Sequence, residues 1–428
     1  MQNWVANVDR RSSHGRSGRC PTVAQVTSAV FPPPTFVDEG RSLLAKHPRD
    51  YWRALLDNPV FLDLSGYYLV TRRQDVVAAL HDHATFASAR KPMPASVAGG
   101  RTLPMPVPIA YDPPVHTRFR QKLHSYFTPQ TLNQLLPELH EQASALINAV
   151  AANGACDGIG DIAIPFPFGA LTTLCGLAFE DRDKLAAWAD AVNWDAPWSP
   201  PAFELLHYLV EAIGSDERPA LAAELLSGED RFTEDEVIGF YTLLCFAQDG
   251  MQAAIGSALL QLVQNPQLHS PLRENPAQIR AFAEEVIRLE TPLPFIGRFT
   301  TRDVTIADVT IPAGSVVRLC LASANLDDGN ESSVTVTDNE KIRLTRHRSF
   351  GAGVHRCLGK SLARMELSVI IAEWFRAIPD FELEPGCAPG FTFTQGGAIM
   401  PRSLPLRWGK GEPPGRTIHS EAAQLHNS

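Results

Sequence analysis

Apolar and polar residues recur along this chain in two rhythms, a short one near the N-terminus and a long one through the middle. Phe61-Leu62-Asp63-Leu64-Ser65-Gly66-Tyr67-Tyr68-Leu69-Val70-Thr71 reads as two short strands hinged at Ser65-Gly66, and Arg72 to His81 then reads as a helix. Residues 90 to 114 carry Pro92, Pro94, Pro104, Pro106, Pro108, Pro113 and Pro114, which exclude regular helix and predict a long, shaped loop. From Pro129 to about Pro294 the pattern is mainly helical, broken at Gly154, at Pro165 and Pro167, and at Trp198-Ser199-Pro200-Pro201. Thr233-Glu234-Asp235-Glu236 is a capping-box start, and apolar periodicity runs from it to Asn265-Pro266. Roughly 31 residues at ~1.5 Å each span ~46 Å, enough to cross a whole domain. A shorter helix is predicted from Pro276 to Leu289. After it, Arg298 to Ile306 and Thr310 to Val317 read as strands, and Gly359 to Phe375 reads as a helix. The fold class is therefore mainly α with smaller β-sheet regions.

Length and composition narrow the functional classes. The 428 residues, 44% of them hydrophobic, suffice for a large core. No internal repeat and no run of 18 uninterrupted apolar residues occurs, so no membrane anchor is expected. Residues 1–30 contain Arg10-Arg11-Ser12-Ser13-His14-Gly15-Arg16 without a following apolar stretch and read as a flexible tail, with an Arg/Ser-rich transit peptide as the alternative. Residues 409–428 read as a polar tail, which leaves a single domain over 31–408. A net charge of −9 disfavours general nucleic-acid binding. The seven cysteines lack Cys-x-x-Cys spacing, which argues against zinc, iron–sulfur or disulfide frameworks and fits a reducing cytoplasm.

One of those cysteines stands in a glycine frame, Phe350-Gly351-Ala352-Gly353-Val354-His355-Arg356-Cys357-Leu358-Gly359. Gly351, Gly353 and Gly359 free the backbone to fold tightly beneath the sulfur, so that amide N–H groups can temper a thiolate. Phe350 offers an apolar shield, and His355 and Arg356 bring donors or cations to the rim. The helix beginning at Gly359 would turn its positive end toward the anion. The spacing Phe-Gly-x-Gly-x-His-x-Cys-x-Gly matches at every fixed position the pattern with which the cytochrome P450 superfamily holds its haem. The chain resembles that superfamily over about residues 35 to 408.

The resemblance implies a cytochrome P450 fold and a haem b, iron protoporphyrin IX, with Cys357 as the axial metal ligand. A thiolate in that place pushes electron density toward oxygen and favours O–O cleavage. Glu285 and Arg288, taken alone, read as an ordinary i,i+3 ion pair; upstream of the cysteine frame they match the family's Glu-x-x-Arg pair, which implies a structural lock. His116 and Arg120, four residues apart after Asp112-Pro113-Pro114, resemble partners of the haem propionates, with Arg298 a third and His355 a fourth. Taken singly, each also reads as a surface charge. Ala247 falls where the family's central helix meets the haem.

On that helix the sequence departs from the family. Its relatives usually carry Ala-Gly-x-(Asp/Glu)-Thr, whose acid and hydroxyl relay protons to oxygen. Here the stretch is Phe246-Ala247-Gln248-Asp249-Gly250-Met251, and no serine or threonine occurs from Leu243 through Gly256. Asp249 keeps the acid and Gly250 takes the place of the hydroxyl. Three readings stay open. A substrate hydroxyl or an ordered water, held by Gln248 or Gln252, completes the relay; the protein uses peroxide or performs coupling, dehydration or isomerisation; or Gly250 only loosens the helix and an ordinary water chain suffices.

Between Lys341 and Arg364 lie seven cations and no acid, in a chain that is acidic overall. Arg346, Arg348, Arg356, Lys360 and Arg364 thus predict a basic surface beside the cysteine that steers an acidic electron donor, with a solvated face that partly neutralises propionates as the alternative. No Gly-rich nucleotide fingerprint is present, so a ferredoxin with its reductase is the expected source of electrons. Ala324-Asn325-Leu326-Asp327 lacks the family's usual arginine, and a short polar loop follows. The function expected is insertion of one oxygen atom from O2 into a hydrophobic small molecule, of natural-product, terpenoid, steroid or fatty-acid class. A non-catalytic haem sensor is the distant alternative. The proline-rich loop around Met93 to Ile109, Val192 to Phe203, Phe246, Leu293 to Ile296 and Gly396 to Met400 are the expected pocket walls.

Overall fold

The computed structural model describes residues 48–63, 66–89, 106–191, 200–327, 334, 341–394 and 396–409. Both expected tails, most of the proline-rich loop, residues 192–199 and the polar loop at 328–333 lie outside the described residues.

Helix α1 (Pro48–Leu55) leads into strands β1 (Val60–Leu62) and β2 (Tyr68–Val70), helix α2 (Arg73–His81) and strand β3 (Phe86–Ala87). Helix α3 (Val115–His124) opens the helical mass, followed by α4 (Leu136–Ala151) and strand β4 (Ala155–Asp157). A π-helical turn (Gly158–Ala163) then precedes α5 (Pro165–Cys175), α6 (Arg182–Ala191), α7 (Pro200–Gly214) and α8 (Glu234–Gln264). After α9 (Ala277–Glu290) the chain becomes β structure, with β5 (Phe295–Thr300), β6 (Val304–Ile306), β7 (Val309–Ile311) and β8 (Val316–Cys320). Helices α10 (Leu321–Leu326) and α11 (Lys360–Ala377) flank the cysteine loop. Short strands β9 (Glu382–Leu383), β10 (Phe391–Phe393), β11 (Ile399–Pro401) and β12 (Pro405–Arg407) complete the described chain.

The long central helix begins as the capping box requires. Thr233 Oγ1 accepts from Glu236 N at 3.2 Å, while Glu236 Oε2 accepts from Thr233 N at 2.9 Å. The Arg118 guanidinium on α3 donates to Glu236 Oε1 at 2.9 Å, so the start of α8 is tied to α3. From Val237 to Leu262 the helix is buried on most sides, as expected of an element crossing a core. Gly256 lets the helix approach the π-helical turn closely: a Cβ there would lie 2.6 Å from Ile159 Cδ1, so that side chain would have to shift. Two helical stretches, Gly158–Cys175 and Glu234–Gln264, are long and apolar enough to cross a membrane, which the search for uninterrupted apolar runs overlooked; 67% and 72% of their apolar windows are buried inside the protein.

The largest sheet has the order β1-β2-β8-β5-β3, parallel between β2 and β8 and antiparallel elsewhere. Val60, Val70, Val317 and Leu319 pack with Val76 and Leu80 of α2 and with Ala352 of the cysteine loop, in a core separate from the helical one. Two predicted strands are each divided in the structure. Thr301 leaves the first to bond Thr85 O at 2.9 Å, and the turn at Pro312–Gly314, with Gly314 at φ 79°, breaks the second. At the break expected at Gly154 the mainly helical region contains a strand, β4, whose partner β12 lies some 250 residues further on (Cys156 opposite Leu406).

Glu285 and Arg288 are not an exposed pair. They are 2% and 1% exposed, and Arg288 Nε donates to Glu285 Oε2 at 2.9 Å. Glu285 Oε1 accepts from Thr345 N at 2.7 Å, and Arg288 Nη1 reaches Asn325 O at 3.4 Å. Asn325 in turn bonds Thr291 Oγ1 at 2.9 Å and Ser349 Oγ at 2.8 Å and accepts from Arg348 N at 2.6 Å. The buried charges therefore hold the strand that enters the cysteine loop. Where the sequence has Asp327, its Oδ2 accepts from Arg73 N at 2.7 Å at the start of α2. Breaking a buried pair strands the remaining charge, so Arg288→Ala is expected to destabilise the protein by about 3–5 kcal/mol, read as a lowered urea midpoint at unchanged slope. A change below about 1 kcal/mol would contradict the lock.

Candidate functional site

The cysteine loop is held from both ends. Cys357 N donates to Phe350 O at 2.9 Å, Gly351 N to Arg348 O at 2.7 Å and Arg356 N to Gly353 O at 3.2 Å. Gly351 and Gly353 have φ of 68° and 66°, which favours glycine at both. At Gly353 no other residue fits, because a Cβ would overlap the Leu80 carbonyl at the end of α2. Gly359 differs from its expected role. Its φ is −79°, open to any residue, and no atom lies within 4 Å of the position its Cβ would take. It leaves room beside the loop rather than permitting a bend.

Cys357 is exposed to a solvent probe, yet protein atoms surround it closely enough that desolvation raises its pKa. Both hold if the sulfur faces a hollow inside the molecule. Gly359 N–H, Arg120, Lys360 and Arg364 oppose that rise, so the thiolate is met by an amide and three cations. Ala247 is exposed although Gln248 and Asp249 beside it on α8 are buried, which marks a hollow against the central helix as well.

Four expected propionate partners gather around the same region. The His116 and His355 rings lie 4.2 Å apart, and His355 Nε2 is 3.0 Å from Asp112 Oδ1. Asp112 also accepts from Ser88 N at 3.0 Å and Ala89 N at 2.8 Å. Asp112 is a site residue that sequence reasoning missed; it was visible only as the start of a helix, 243 residues from its histidine. Burial, with His355 and Arg120 nearby, pulls the His116 pKa down to about 4, which keeps its ring neutral. Burial lowers Arg298 to about 10 and lowers Arg120 as well. Among the described residues neither guanidinium forms an ion pair. Arg298 is buried and Arg120 half-buried; a cation drawn out of water without an anion is costly, and a cofactor carrying two carboxylates would supply one. The open face at Gly359, the accessible sulfur and these cations fit a haem.

The distal residues are arranged less simply. Gln248 Nε2 donates to Leu244 O at 2.8 Å, and its Oε1 is buried without a hydrogen-bond partner among the described residues. Asp249 Oδ2 accepts from Gly396 N at 2.8 Å. Burial raises the Asp249 pKa, with Asp190 adding to the rise, against the Gly396 N–H and the nearby Thr394 hydroxyl, which favour the carboxylate. At Gly250 a Cβ would meet Leu293 Cδ1 at 3.6 Å, an ordinary contact, so sterics do not exclude a hydroxyl residue.

The expected basic surface divides. Arg346 and Arg356 are exposed and Lys360 is half-buried, its pKa lowered by burial and by Arg356, Arg120 and Arg364 around it. Arg348 and Arg364 turn inward instead. Arg348 Nη1 bonds His347 O at 3.2 Å, while Arg364 pairs with Glu284 and lies 4.7 Å over the Phe350 ring. His347 Nε2 meets Glu284 at 3.0 Å, giving a network beneath the loop that the count of cations did not show. Of the expected pocket walls, Ile109, Phe203 and Leu293 are exposed apolar side chains, and Phe393 joins them.

A model of the family described as "Cytochrome P450" matches residues 336–404. The chain is 32% identical over 357 residues to a vitamin D(3) 25-hydroxylase of Pseudonocardia autotrophica, covering 78% of this chain and 84% of that protein. It is 30% identical to a probable cytochrome P450 127A1 of Sinorhizobium fredii, over 79% and 82% of the two chains. Among solved structures it is similar to P450BioI in complex with an acyl carrier protein carrying hexadec-9Z-enoic acid, at 27% identity, TM-score 0.72 and coverage of 85% and 99%. A mutant of P450 EryK in complex with erythromycin B matches at 26% identity, TM-score 0.72 and coverage of 90% and 99%.

Beneath the loop, burial pushes the Glu284 pKa up, but the Arg364 and His347 bonds hold it at about 2, against 4.5 in an unfolded chain. A depressed carboxylate contributes stability that is fully present above the unfolded pKa and lost as pH falls through the folded one. Glu284→Gln is therefore expected to lower the urea midpoint at pH 7, with the gap from the parent closing between about pH 4.5 and about 2. A gap independent of pH across that window would contradict the ionised network.

Proposed function

Because the chain belongs to the cytochrome P450 family and is a haem monooxygenase of it, we propose that Cys357 is the residue that ligates its haem iron, and that the substrate is a bulky hydrophobic molecule. The observation that carries this is the accessible Cys357 with Arg120 beside it, and Arg120 and Arg298, cations that have no ion-pair partner among the described residues, near the adjacent rings of His116 and His355. When bound, the haem supplies the redox chemistry of O2 cleavage. The chain's residues do the rest. Arg120, Arg298 and the paired rings of His116 and His355 hold the two propionates, and Asp112 orients His355. Phe350 shields the loop, while Gly351 and Gly353 shape it and Gly359 keeps its face open.

Inserting one oxygen atom consumes O2, two electrons and two protons, and releases water. Gly250 offers no hydroxyl for proton transfer, whereas the buried Gln248 Oε1 has a free acceptor that can hold a water or a substrate hydroxyl. That favours substrate- or water-assisted delivery over the peroxide-driven alternative. Arg346, Arg356 and Lys360 form the exposed part of a positive face beside the cysteine, and we read it as the docking surface of a small acidic ferredoxin in the cytoplasm. The apolar openings at Ile109, Phe203, Leu293 and Phe393 suit a steroid, terpenoid or acyl ligand, classes that include the vitamin D(3) and fatty-acyl molecules named for two relatives.

One assay tests this reading. The holoenzyme, a ferredoxin and its reductase turn over a library of steroids, terpenoids and fatty acids under isotopically labelled O2, at low and high salt. The expected result is one labelled oxygen atom per product, a rate that falls steeply with salt, and more peroxide released when Gly250→Thr displaces the bound water. Product without label would overturn the monooxygenation of these substrates; a rate indifferent to salt would remove the basic docking face; and unchanged peroxide in Gly250→Thr would show that the missing hydroxyl does not matter.

A further inference from the structure

The acid of the central helix is occupied by a different element. Asp249 Oδ2 accepts from Gly396 N at 2.8 Å, and the nearby Thr394 hydroxyl also favours the ionised carboxylate. Thr394 and Gly396 belong to the turn between β10 and β11. That turn is closed on itself: Thr394 N donates to Ala398 O at 2.8 Å, Gly397 N to Thr394 O at 3.1 Å and Ala398 N to Thr394 Oγ1 at 3.0 Å. The approach of hairpin to helix is tight enough that a Cβ on Gly396 would overlap Asp249 Oδ2.

Two anchors therefore hold the hairpin over the site. At the base of β11, Ile399 N donates to Pro292 O at 2.9 Å, a backbone bond that any residue could make. At its tip the hold is the carboxylate of one side chain. Charge-assisted bonds of this kind are about twice as strong as neutral ones, and they offset the cost of burying the carboxylate. Phe393, next to Thr394 in sequence, and Leu293, which lies against the open position at Gly250, are apolar side chains 39% and 38% exposed. If this face borders a ligand chamber, the clamp sets where the hairpin wall of that chamber stands.

We propose that Asp249 is a positioning residue whose carboxylate clamps the tip of the β10–β11 hairpin to α8, and so sets which bulky apolar ligands the chamber admits. The proposal rests on the reading that this face of α8 borders the haem and the ligand. It assigns the acid a structural partner in place of the helix hydroxyl with which such an acid is expected to work. Thr394, far along the sequence, belongs to the same device.

The test uses the haem-loaded protein and two azole probes. Imidazole is small enough to report the iron alone, whereas clotrimazole fills the chamber and touches its wall; both are followed by the shift of the Soret band. In Asp249→Ala, hydrogen exchange at Gly396 and Gly397 should accelerate about tenfold or more, and the clotrimazole Kd should change by a similar factor. The imidazole Kd should stay within about twofold, as the chamber wall does not touch it. Asp249→Asn, which keeps an acceptor for Gly396 N–H without the charge, should fall between parent and Asp249→Ala. Thr394→Val carries the same comparison if Asp249→Ala does not fold. Parent-like exchange in Asp249→Ala, or faster exchange with parent-like affinity for both azoles, would overturn the proposal. Should imidazole fail to shift the Soret band of the parent, the haem assignment fails instead, and hydrogen exchange still decides the clamp.

Discussion

Arg298 is buried and Arg120 half-buried, and neither has a carboxylate paired to it among the described residues. Burying a charge costs several kcal/mol unless something of opposite sign meets it. Asp112, the one acid in the group, is already bonded to His355 and to two backbone amides. Positive charge is thus in surplus here among the described residues, and a bound group that carries carboxylates would offset it. Much of the architecture serves this arrangement. Helix α3 brings His116 and Arg120, β5 brings Arg298, and the cysteine loop brings His355 and the sulfur. The separate core of β-sheet and α2 supplies the Leu80 carbonyl against which Gly353 is pressed.

The same charges act on the sulfur. Desolvation raises the thiol pKa, while Gly359 N–H and the cations Arg120, Lys360 and Arg364 favour the thiolate. Arg364 is the link between two layers of this arrangement, since it touches Cys357 electrostatically from above and pairs with Glu284 below. Glu284 and Glu285 are neighbours on α9 with separate duties. The first neutralises the cations under the loop, and the second locks Arg288 and the strand that leads into it. Positive charge is therefore balanced by Glu284 beneath the cysteine and left without a paired carboxylate at Arg120 and Arg298 among the described residues.

Some of this was legible in the sequence and some was not, for physical reasons. The cysteine frame, the capping box at Thr233 and the Glu285–Arg288 spacing are local: each places its groups within about one helical turn or one tight loop, so spacing alone reveals them. The outline of α8 was readable for the same reason. Contacts across the chain were not. Asp112 with His355, Arg364 with Glu284, β4 with β12 and Asp249 with Gly396 join segments from 80 to about 250 residues apart, and no local pattern encodes such a pairing. Gly359 shows a subtler gap. A glycine needed for a bend and one needed for empty space look alike in sequence, and only its φ and its surroundings tell them apart.

The central claim is that Cys357 ligates the haem iron as a thiolate within this cationic setting. The most direct measurement is the absorption spectrum of the reduced, carbon monoxide-bound protein, compared between parent and Cys357→His. The parent is expected to show the strongly red-shifted Soret band of a thiolate ligand, and Cys357→His to retain haem but lose that band for the one given by imidazole ligation. A parent lacking the red-shifted band, or a Cys357→His variant that keeps it, would contradict the assignment.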